Sequence, residues 1–309
     1  MANRPEVSII VLTKNAEGNI RWTLSLILSQ KFSKPYEVIV IDSGSTDGTL
    51  GIIESFKSVR LIKRNPETFS HGGTRNFGGG KARASKYLVF FNGDAVPRDK
   101  NWLAPLIGQL ESDRETAGVF SRHIAKTNCN IYMALDIATG MPPVKSIASL
   151  RFLAPEERSA GIRRLMWFST VSCAIRKSFW EKNRFREDIN MAEDQEWSRR
   201  MLLKGKSIVY EPESVIYHSH NYGILEFYRY NRNSDRSFNK ILGSGKKVSF
   251  LLFRLAAQIF YSANESIRII KSPQAKRISG LRLAKEVLVG VLSRYAAILG
   301  EIAANIQLH

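Results

Sequence analysis

A β-branched run near the start of the chain, Val7-Ser8-Ile9-Ile10-Val11-Leu12, predicts the first strand of a sheet. Further strand-like runs lie at residues 37–41, 59–62 and 87–91, and helical patterns lie between the runs at residues 15–30, 50–56 and 73–84. Such an alternation predicts an α/β fold with a mostly parallel sheet flanked by helices. Ligands of such sheets bind beyond the carboxyl ends of the strands.

Polar residues follow three of these predicted strands. Thr13 and Asn15 come after the first strand, the segment Asp42-Ser43-Gly44-Ser45-Thr46-Asp47-Gly48-Thr49 after the second, and Asp94 after the fourth. Asn15 is also expected to cap the helix that follows it. The sequence therefore predicts a ligand site at this edge of the sheet.

The loop at residues 42–49 has a structural and a functional interpretation. Its glycines and short polar side chains suit a tight turn and a helix N-cap. Asp42 can also accept a hydrogen bond from the ring N–H of a pyrimidine, with the N–H groups of a helix start nearby. A GxGxxG fingerprint and a Walker P-loop are both absent after the first strand. Their absence argues against hydride transfer and against an ordinary kinase.

A second acidic centre lies in the run Met191-Ala192-Glu193-Asp194-Gln195-Glu196-Trp197, ahead of a predicted helix at residues 197–203. Taken alone, acidic residues at a helix start are most often partners of the helix dipole. A strand-like run at residues 207–210 and the segment Tyr217-His218-Ser219-His220 follow. Carboxylates at separate strand ends, with a histidine, can divide general-base work from metal binding. The order of these motifs favours catalysis, with His218 rather than His220 facing the cleft.

The composition indicates an anionic partner. Of 309 residues, 44% are hydrophobic, and 46 Lys+Arg against 28 Asp+Glu give a net charge of +18. This balance suits nucleotide phosphates, a nucleic acid or an acidic membrane surface. Residues 229–294 alone hold 14 basic and 3 acidic residues. Cys129 and Cys173 have neither the number nor the spacing of a disulfide framework or a zinc site, so a reducing cytoplasm fits.

The spaced motifs together resemble a family 2 glycosyltransferase with the GT-A fold. The resemblance covers about residues 5–222 and rests on residues 7–15, the 42–49 loop, Asp94, Glu193-Asp194 and the region of His218. The segments Phe69-Ser70-His71-Gly72-Gly73-Thr74-Arg75-Asn76 and Asn92-Gly93-Asp94-Ala95-Val96-Pro97 resemble more narrowly the rhamnosyltransferases that build bacterial surface polysaccharides. The resemblance implies inverting transfer of a sugar, L-rhamnose from dTDP-rhamnose, to a saccharide or lipid-linked saccharide. Another dTDP- or UDP-linked sugar is the alternative.

The family's donor-binding residues can be assigned to positions of this sequence. Thr13, Asn15 and Asp42 would hold the nucleoside, with Asp42 at the base. Asp47 and Arg75 would lie near the ribose or the diphosphate. His71 stands beside Gly72-Gly73, where the backbone can approach a ligand closely, and donor contact is expected there.

The resemblance also implies a base and a metal site. Asp194 would be the general base, with Glu193 beside it. Asp94 occupies the last acidic position of the family's DxD motif and would hold Mg²⁺ or Mn²⁺ with His218. Asn92 stands where many members have Asp, so the predicted metal site has one negative charge fewer.

We expect a catalytic domain at residues 1–222 and a basic, amphipathic helical region at residues 223–309. Residues 125–165 break the alternation and are assigned to acceptor contact. Helices are predicted at residues 247–262 and 281–306. No uncharged apolar run reaches the roughly 20 residues of a spanning helix, and no signal peptide is expected. The expected location is the cytoplasm, with the basic helices on the anionic inner face of the cytoplasmic membrane.

Two other classes of protein are compatible with parts of the sequence. A nucleic-acid-binding protein would explain the charge, but helix-turn-helix, RNP and metal-finger signatures are absent, so no nucleic-acid partner is expected. A nucleotidylyltransferase would carry a Gly-rich loop with Arg and Lys directly after the first strand. That position holds Thr13-Lys14-Asn15-Ala16-Glu17 instead.

Overall fold

The structure, a computed structural model, describes residues 4–243 and 245–306. Within them one mixed sheet contains the strands β1 (Val7–Thr13), β2 (Tyr36–Asp42), β3 (Val59–Lys63), β4 (Tyr87–Asn92), β5 (Val96–Pro97), β6 (Thr116–Ile124), β7 (Ser146–Ala148), β8 (Ser172–Arg176) and β9 (Ser207–Tyr217). The helices are α1 (Glu17–Leu28), α2 (Thr49–Glu54), α3 (His71–Lys81), α4 (Leu103–Ser112), α5 (Ile131–Gly140), α6 (Arg158–Leu165), α7 (Lys177–Lys182), α8 (Glu193–Leu203), α9 (Ile224–Leu242), α10 (Val248–Ile270) and α11 (Gly280–Ile306).

The strand order is β3-β2-β1-β4-β8-β6-β9-β5, with β7 paired to β9. The first four of these strands are mutually parallel, and β8 joins β4 antiparallel. In this register Thr13 lies opposite Asp42, and Leu12 lies opposite Asn92. The carboxyl ends of β1, β2 and β4 therefore meet at one edge, as the sequence predicts.

Both faces of the sheet are buried. Ile9 and Val11 of β1 belong to a core cluster that includes side chains of α1, α2 and α4. Ile10, on the opposite face, packs against α3 at Gly78. Alternate residues of β1 thus face two different helix layers, which explains the nearly continuous apolar run at residues 7–12.

Some local expectations were wrong. Asn15 does not cap α1: Ala16 holds the N-cap position and makes no side-chain cap hydrogen bond. The backbone of Asn15 is left-handed (φ 50°), and its Oδ1 accepts a hydrogen bond from the backbone N–H of Thr46 (2.8 Å). The sequence also gave no specific prediction of α9, and α3 begins at His71 instead of residue 73.

The chain divides into two compact units. The first contains residues up to 124 and 141–218, and the second contains residues 125–140 and those from 219 onward. The segment 125–165 is therefore divided: α5 belongs to the second unit, and residues 141–165 belong to the first. The boundary falls after residue 218 instead of 222. The outer bounds predicted for the domains, residues 1 and 309, lie outside the described residues.

The second unit consists of packed helices, in which α11 contacts α5, α9 and α10. By length and composition α11 is able to cross a membrane, the one such helix among the described residues. Within the unit, however, Arg294 pairs with Asp136, and Glu301 pairs with Arg254. These internal ion pairs are typical of a helix packed against other helices, and a packed core helix passes the same test of length and composition.

The close approach of α3 to α7 gives a stability prediction. A Cβ on Gly79 would lie 2.5 Å from Cζ2 of the buried Trp180, whereas a Cβ on Gly80 would meet no atom within 4 Å. We expect Gly79→Ala to lower the free energy of unfolding by about 1–3 kcal/mol through overpacking. Gly80→Ala should leave it unchanged or raise it by up to about 1 kcal/mol. Urea unfolding of both variants measures the difference, and equal stabilities would contradict this packing.

Candidate active site

The loop after β2 is organised around Asp42. Its buried Oδ1 accepts hydrogen bonds from the backbone N–H groups of Gly44 (3.0 Å) and Ser45 (2.9 Å), and its Oδ2 accepts one from the Ser45 hydroxyl. Gly44 has φ +86°, a conformation that favours glycine. Asp42 therefore stabilises the conformation of its own loop. The contact of Asp42 with a nucleobase stays a prediction, and it would use carboxylate lone pairs that these hydrogen bonds do not occupy.

A second set of hydrogen bonds fastens this loop to the loop after β1. Ser45 Oγ accepts from the backbone N–H of Asn15 (2.9 Å), and Thr49 Oγ1 accepts from that of Ala16 (2.8 Å). Asp47 accepts from the backbone N–H groups of Glu17 (3.2 Å) and Thr49 (3.0 Å). A hydrogen bond from the Thr49 side chain is the largest of the causes that lower the pKa of the Asp47 carboxyl. The two loops thus form one rigid edge. Next to them the Thr13 hydroxyl is buried without a hydrogen-bond partner among the described residues.

Asp94 lies in the turn after β4, close to the end of β9. Its Oδ2 is 3.4 Å from Nε2 of His218, and its side chain is 38% exposed. His123, which sequence analysis missed, packs edge-on against the His218 ring. Burial, with a smaller contribution from His218, lowers the pKa of His123 to about 3, so its ring is neutral at neutral pH. His220 belongs to the second unit, where its ring stacks on Tyr222.

The donor set of Asp94 and His218 fits a divalent cation. A carboxylate oxygen and an imidazole nitrogen suit Mn²⁺ well, while Mg²⁺ prefers oxygen ligands and would keep more of its waters. Asn92, the residue at the other DxD position, uses its Oδ1 to accept a hydrogen bond from Arg75 Nη2 (3.2 Å). This oxygen is therefore already engaged by the protein.

Arg75 connects three elements of the site. Its guanidinium, on α3, is only 3% exposed and forms an ion pair with the equally buried Glu193 at the start of α8. The same guanidinium reaches Asn92 at the end of β4. Arg75 is thus held by Glu193 and Asn92, and its predicted position near the donor's ribose or diphosphate stays a prediction.

Asp194 is held by hydrogen bonds on both carboxylate oxygens. Oδ2 accepts from the backbone N–H (3.0 Å) and the hydroxyl (3.2 Å) of Thr170, and Oδ1 accepts from the backbone N–H of Gln195 (2.8 Å). Burial and the neighbouring Glu193 raise the pKa of Asp194 to about 6, against the opposing effect of Arg75. A carboxyl with a pKa near neutrality is suited to accept a proton. Sequence analysis missed Thr170, which precedes β8 without any motif.

The backbone before these carboxylates is left-handed. Ala192 has φ 62° and ψ 26° and is the N-cap residue of α8. For a residue with a Cβ this conformation costs about 1–2 kcal/mol. It turns the chain so that Glu193 and Asp194 occupy the first helical turn, where Glu193 meets Arg75 and Asp194 meets Thr170.

His71 begins α3 close to this cluster. Ser70 caps the helix by accepting a hydrogen bond from the backbone N–H of Gly73 (3.0 Å), and the His71 ring packs edge-on against Phe69. Burial first and Arg75 second lower the pKa of His71 to about 4, so its ring is neutral at neutral pH. A neutral imidazole can donate a hydrogen bond to a ligand; the donor contact predicted for His71 stays a prediction.

Comparison with known families and proteins gives a consistent result. Residues 8–177 match the family described as glycosyl transferase family 2. The O-antigen chain rhamnosyltransferase WbaN of Salmonella anatum is 31% identical over 228 residues, which cover 73% of this chain and 70% of that protein. The O-antigen chain rhamnosyltransferase RfbN of Salmonella typhimurium is 28% identical over 226 residues, with the same coverage.

Solved structures show the same fold at lower sequence identity. The mannosyltransferase PcManGT from Pyrobaculum calidifontis, in complex with GDP-Man and Mn²⁺, has a TM-score of 0.61 at 17% identity, covering 99% of this chain and 87% of that one. TarS 1–349 of S. aureus, in complex with UDP, has a TM-score of 0.54 at 17% identity, covering 95% and 90%. The fold is therefore α/β of the GT-A type, with the C-terminal helices α9–α11.

The buried Arg75–Glu193 pair gives a second prediction. Removing one partner leaves the other charge buried and unpaired, so Arg75→Met and Glu193→Gln should each lower the free energy of unfolding by about 3–5 kcal/mol. The double variant should be less destabilised than the sum, with a coupling of at least about 1 kcal/mol. Urea unfolding of the four proteins measures this cycle. Additive effects would show that the pair does not form in solution.

Proposed function

This chain belongs to glycosyltransferase family 2, and we propose that it moves L-rhamnose from dTDP-rhamnose to a saccharide or lipid-linked saccharide during bacterial surface polysaccharide synthesis. The rhamnosyl donor is supported by the two O-antigen chain rhamnosyltransferases at about 30% identity. The alternative is another dTDP- or UDP-linked sugar. The observation that carries the mechanism is the placement of Asp194, a hydrogen-bonded carboxylate with a pKa near 6 at the helix start.

In the proposed mechanism Asp194 is the general base of an inverting transfer. The acceptor hydroxyl oxygen attacks the anomeric carbon on the face opposite the diphosphate, and its proton passes to Asp194. A bond forms between that oxygen and the anomeric carbon, and the bond from this carbon to the diphosphate oxygen breaks. The nucleoside diphosphate leaves with the bonding electron pair.

The donor would occupy the edge formed by the loops after β1 and β2. Thr13, Asn15 and Asp42 would hold the nucleoside, with Asp47 near the ribose or the diphosphate. A divalent cation held by Asp94 and His218 would neutralise charge on the diphosphate when bound. His71 would contribute a neutral donor of hydrogen bonds. We assign Arg75 a positioning role, since its guanidinium aligns Asn92 beside the metal site and Glu193 beside the base.

A base with a raised pKa gives a pH dependence. Only the ionised carboxylate accepts a proton, so transfer should decline as the pH falls through about 6, where Asp194 becomes protonated. Asp194→Asn should reduce kcat by roughly 10²-fold or more while donor affinity barely changes. Radiolabelled sugar transfer across pH measures both effects. Glu54→Gln, which neutralises an exposed carboxylate on α2, is the matched control and should retain the full rate.

Glu193→Gln gives an independent check on this assignment. It removes a negative charge that raises the pKa of Asp194 and leaves Arg75, which lowers that pKa, without its counter-charge. The acidic limb of the profile should therefore move to lower pH, provided that circular dichroism shows a folded protein. Near-normal turnover of Asp194→Asn would reject Asp194 as the base.

The donor assignment is tested by ligand-induced stabilisation, because a ligand that binds only the folded state raises the melting temperature. We expect dTDP and dTDP-rhamnose with Mn²⁺ to stabilise the protein more than GDP or ADP. Excess chelator or Asp94→Ala should remove most of this gain, since both remove the ion from the diphosphate. A preference for purine nucleotides would contradict the role of Asp42, and full activity in chelator would contradict that of Asp94 and His218.

A further inference from the structure

Helix α10 of the second unit turns its polar side inward. Its buried residues include Leu251, Gln258 and Glu265, which recur at seven-residue spacing, and Ile269. Two turns of a helix span about seven residues, so these side chains form one narrow stripe. The other residues of α10 are half-buried or exposed.

Every charged residue of α10 is satisfied within the unit. Arg254 Nη1 pairs with Glu301 on α11 (2.6 Å), and Arg268 Nη1 pairs with Asp136 on α5 (3.0 Å). Glu265 accepts from Arg294 Nη2 (2.9 Å). These ion pairs place the helix's charges on the side that faces its neighbours.

The opposite side of α10 is exposed and apolar. Successive residues of a helix are rotated by about 100°, which places a set of exposed apolar side chains on the face away from Leu251 and Gln258. This set consists of Leu252, Phe253, Ile259, Phe260, Ile267 and Ile270, with Ala256 and Ala263 between them. Phe253 is 69% exposed and Phe260 is 80% exposed. This apolar face, from Leu252 to Ile270, is about 27 Å long, and a contiguous exposed patch of this kind marks an interaction surface.

Exposed basic residues lie at both ends of the apolar face. Lys247 precedes the helix, and Lys271, Lys276 and Arg277 follow it, all exposed. The one acidic residue of α10, Glu265, is buried. An occupant that is apolar across its middle and anionic at its margins matches this pattern.

We propose that α10 docks on an anionic phospholipid bilayer, with its apolar face in the boundary between headgroups and acyl chains. The basic residues at its ends contact the anionic headgroups. A second copy of this chain fits the face less well, because pairing two such faces would bring positive charges together at their ends. The docking does not depend on the identity of the donor sugar.

The ion pairs of the second unit decide which basic residues are suitable for testing the membrane contact. Lys246, which belongs to the basic segment noted in the sequence, pairs with Asp235 (2.8 Å) and Glu301 (2.6 Å) inside the unit. Reversing its charge would disturb the unit itself. The informative positions are Lys247 and Lys271, which are exposed at the two ends of α10.

Sedimentation of the full chain with vesicles tests the proposal. We expect binding to mixed phosphatidylglycerol–phosphatidylcholine vesicles, partial release by high salt, and weak binding to phosphatidylcholine alone. Phe253→Ser/Phe260→Ser should lower the partition coefficient by at least about tenfold, since it removes two large apolar side chains from the bilayer. Lys247→Glu/Lys271→Glu should lower anionic-vesicle binding and reduce its salt dependence.

The matched control is Trp22→Ser, which removes an exposed aromatic side chain of α1, in the first unit, and should leave vesicle binding unchanged. All variants should keep their melting temperature and their stabilisation by dTDP, which separates this test from that of the donor. Unchanged vesicle binding by the double Phe variant would overturn the proposal. So would a concentration-dependent dimer of the wild type that the same substitutions disperse while vesicle binding is absent.

Discussion

A guanidinium that is removed from water must be paired, and this requirement at Arg75 organises the active-site edge of the first unit. Glu193 supplies the opposite charge and Asn92 supplies a neutral acceptor, so one side chain connects α3, α8 and β4. Helix α3, which carries Arg75, can approach the backbone at Arg186 closely because the helix is rich in glycine. A Cβ on Gly72 would lie 2.2 Å from the carbonyl oxygen of Arg186. The position of Asp194 follows from the same pair, because it directly follows Glu193 in the first turn of α8.

Local patterns were sufficient to predict the parallel half of the sheet. The runs at residues 7–12, 37–41, 59–62 and 87–91 match β1–β4 within about one residue at each end, since apolar β-branched runs between turn residues are a strong signal. The Asn15 cap failed because an asparagine tolerates left-handed backbone and can bond a distant loop instead of its own helix. The partner of Arg75 lies 118 residues away in the sequence, and Thr170 lies 24 residues from Asp194. No periodicity connects such pairs, so the residue types of the site could be predicted from the sequence but their contacts could not.

The second unit shows a different limit of sequence patterns. A helical stripe of apolar residues indicates a face but does not say whether that face points inward. Leu281 and Leu288, two large apolar residues of the helix predicted at residues 281–306, are 87% and 59% exposed, whereas Gly290 and Ser293 are buried. Small residues let α11 approach its neighbours, because a Cβ on Gly290 would lie 2.6 Å from Ile269. Close packing through small and charged residues therefore leaves large apolar side chains on the outside of α10 and α11.

The amide at position 92 is compatible with the charge balance of the Arg75–Glu193 pair. Arg75 carries one positive charge, and the carboxylate of Glu193 already neutralises it. Asn92 accepts a hydrogen bond from the same guanidinium without adding charge, whereas an aspartate there would compete with Glu193 for one cation. Loss of the Glu193 pairing would leave a second carboxylate beside Asp194 without its counter-charge and raise the pKa of Asp194 further. An amide at position 92 thus satisfies the second hydrogen-bonding direction of Arg75 without adding a carboxylate that competes with Glu193.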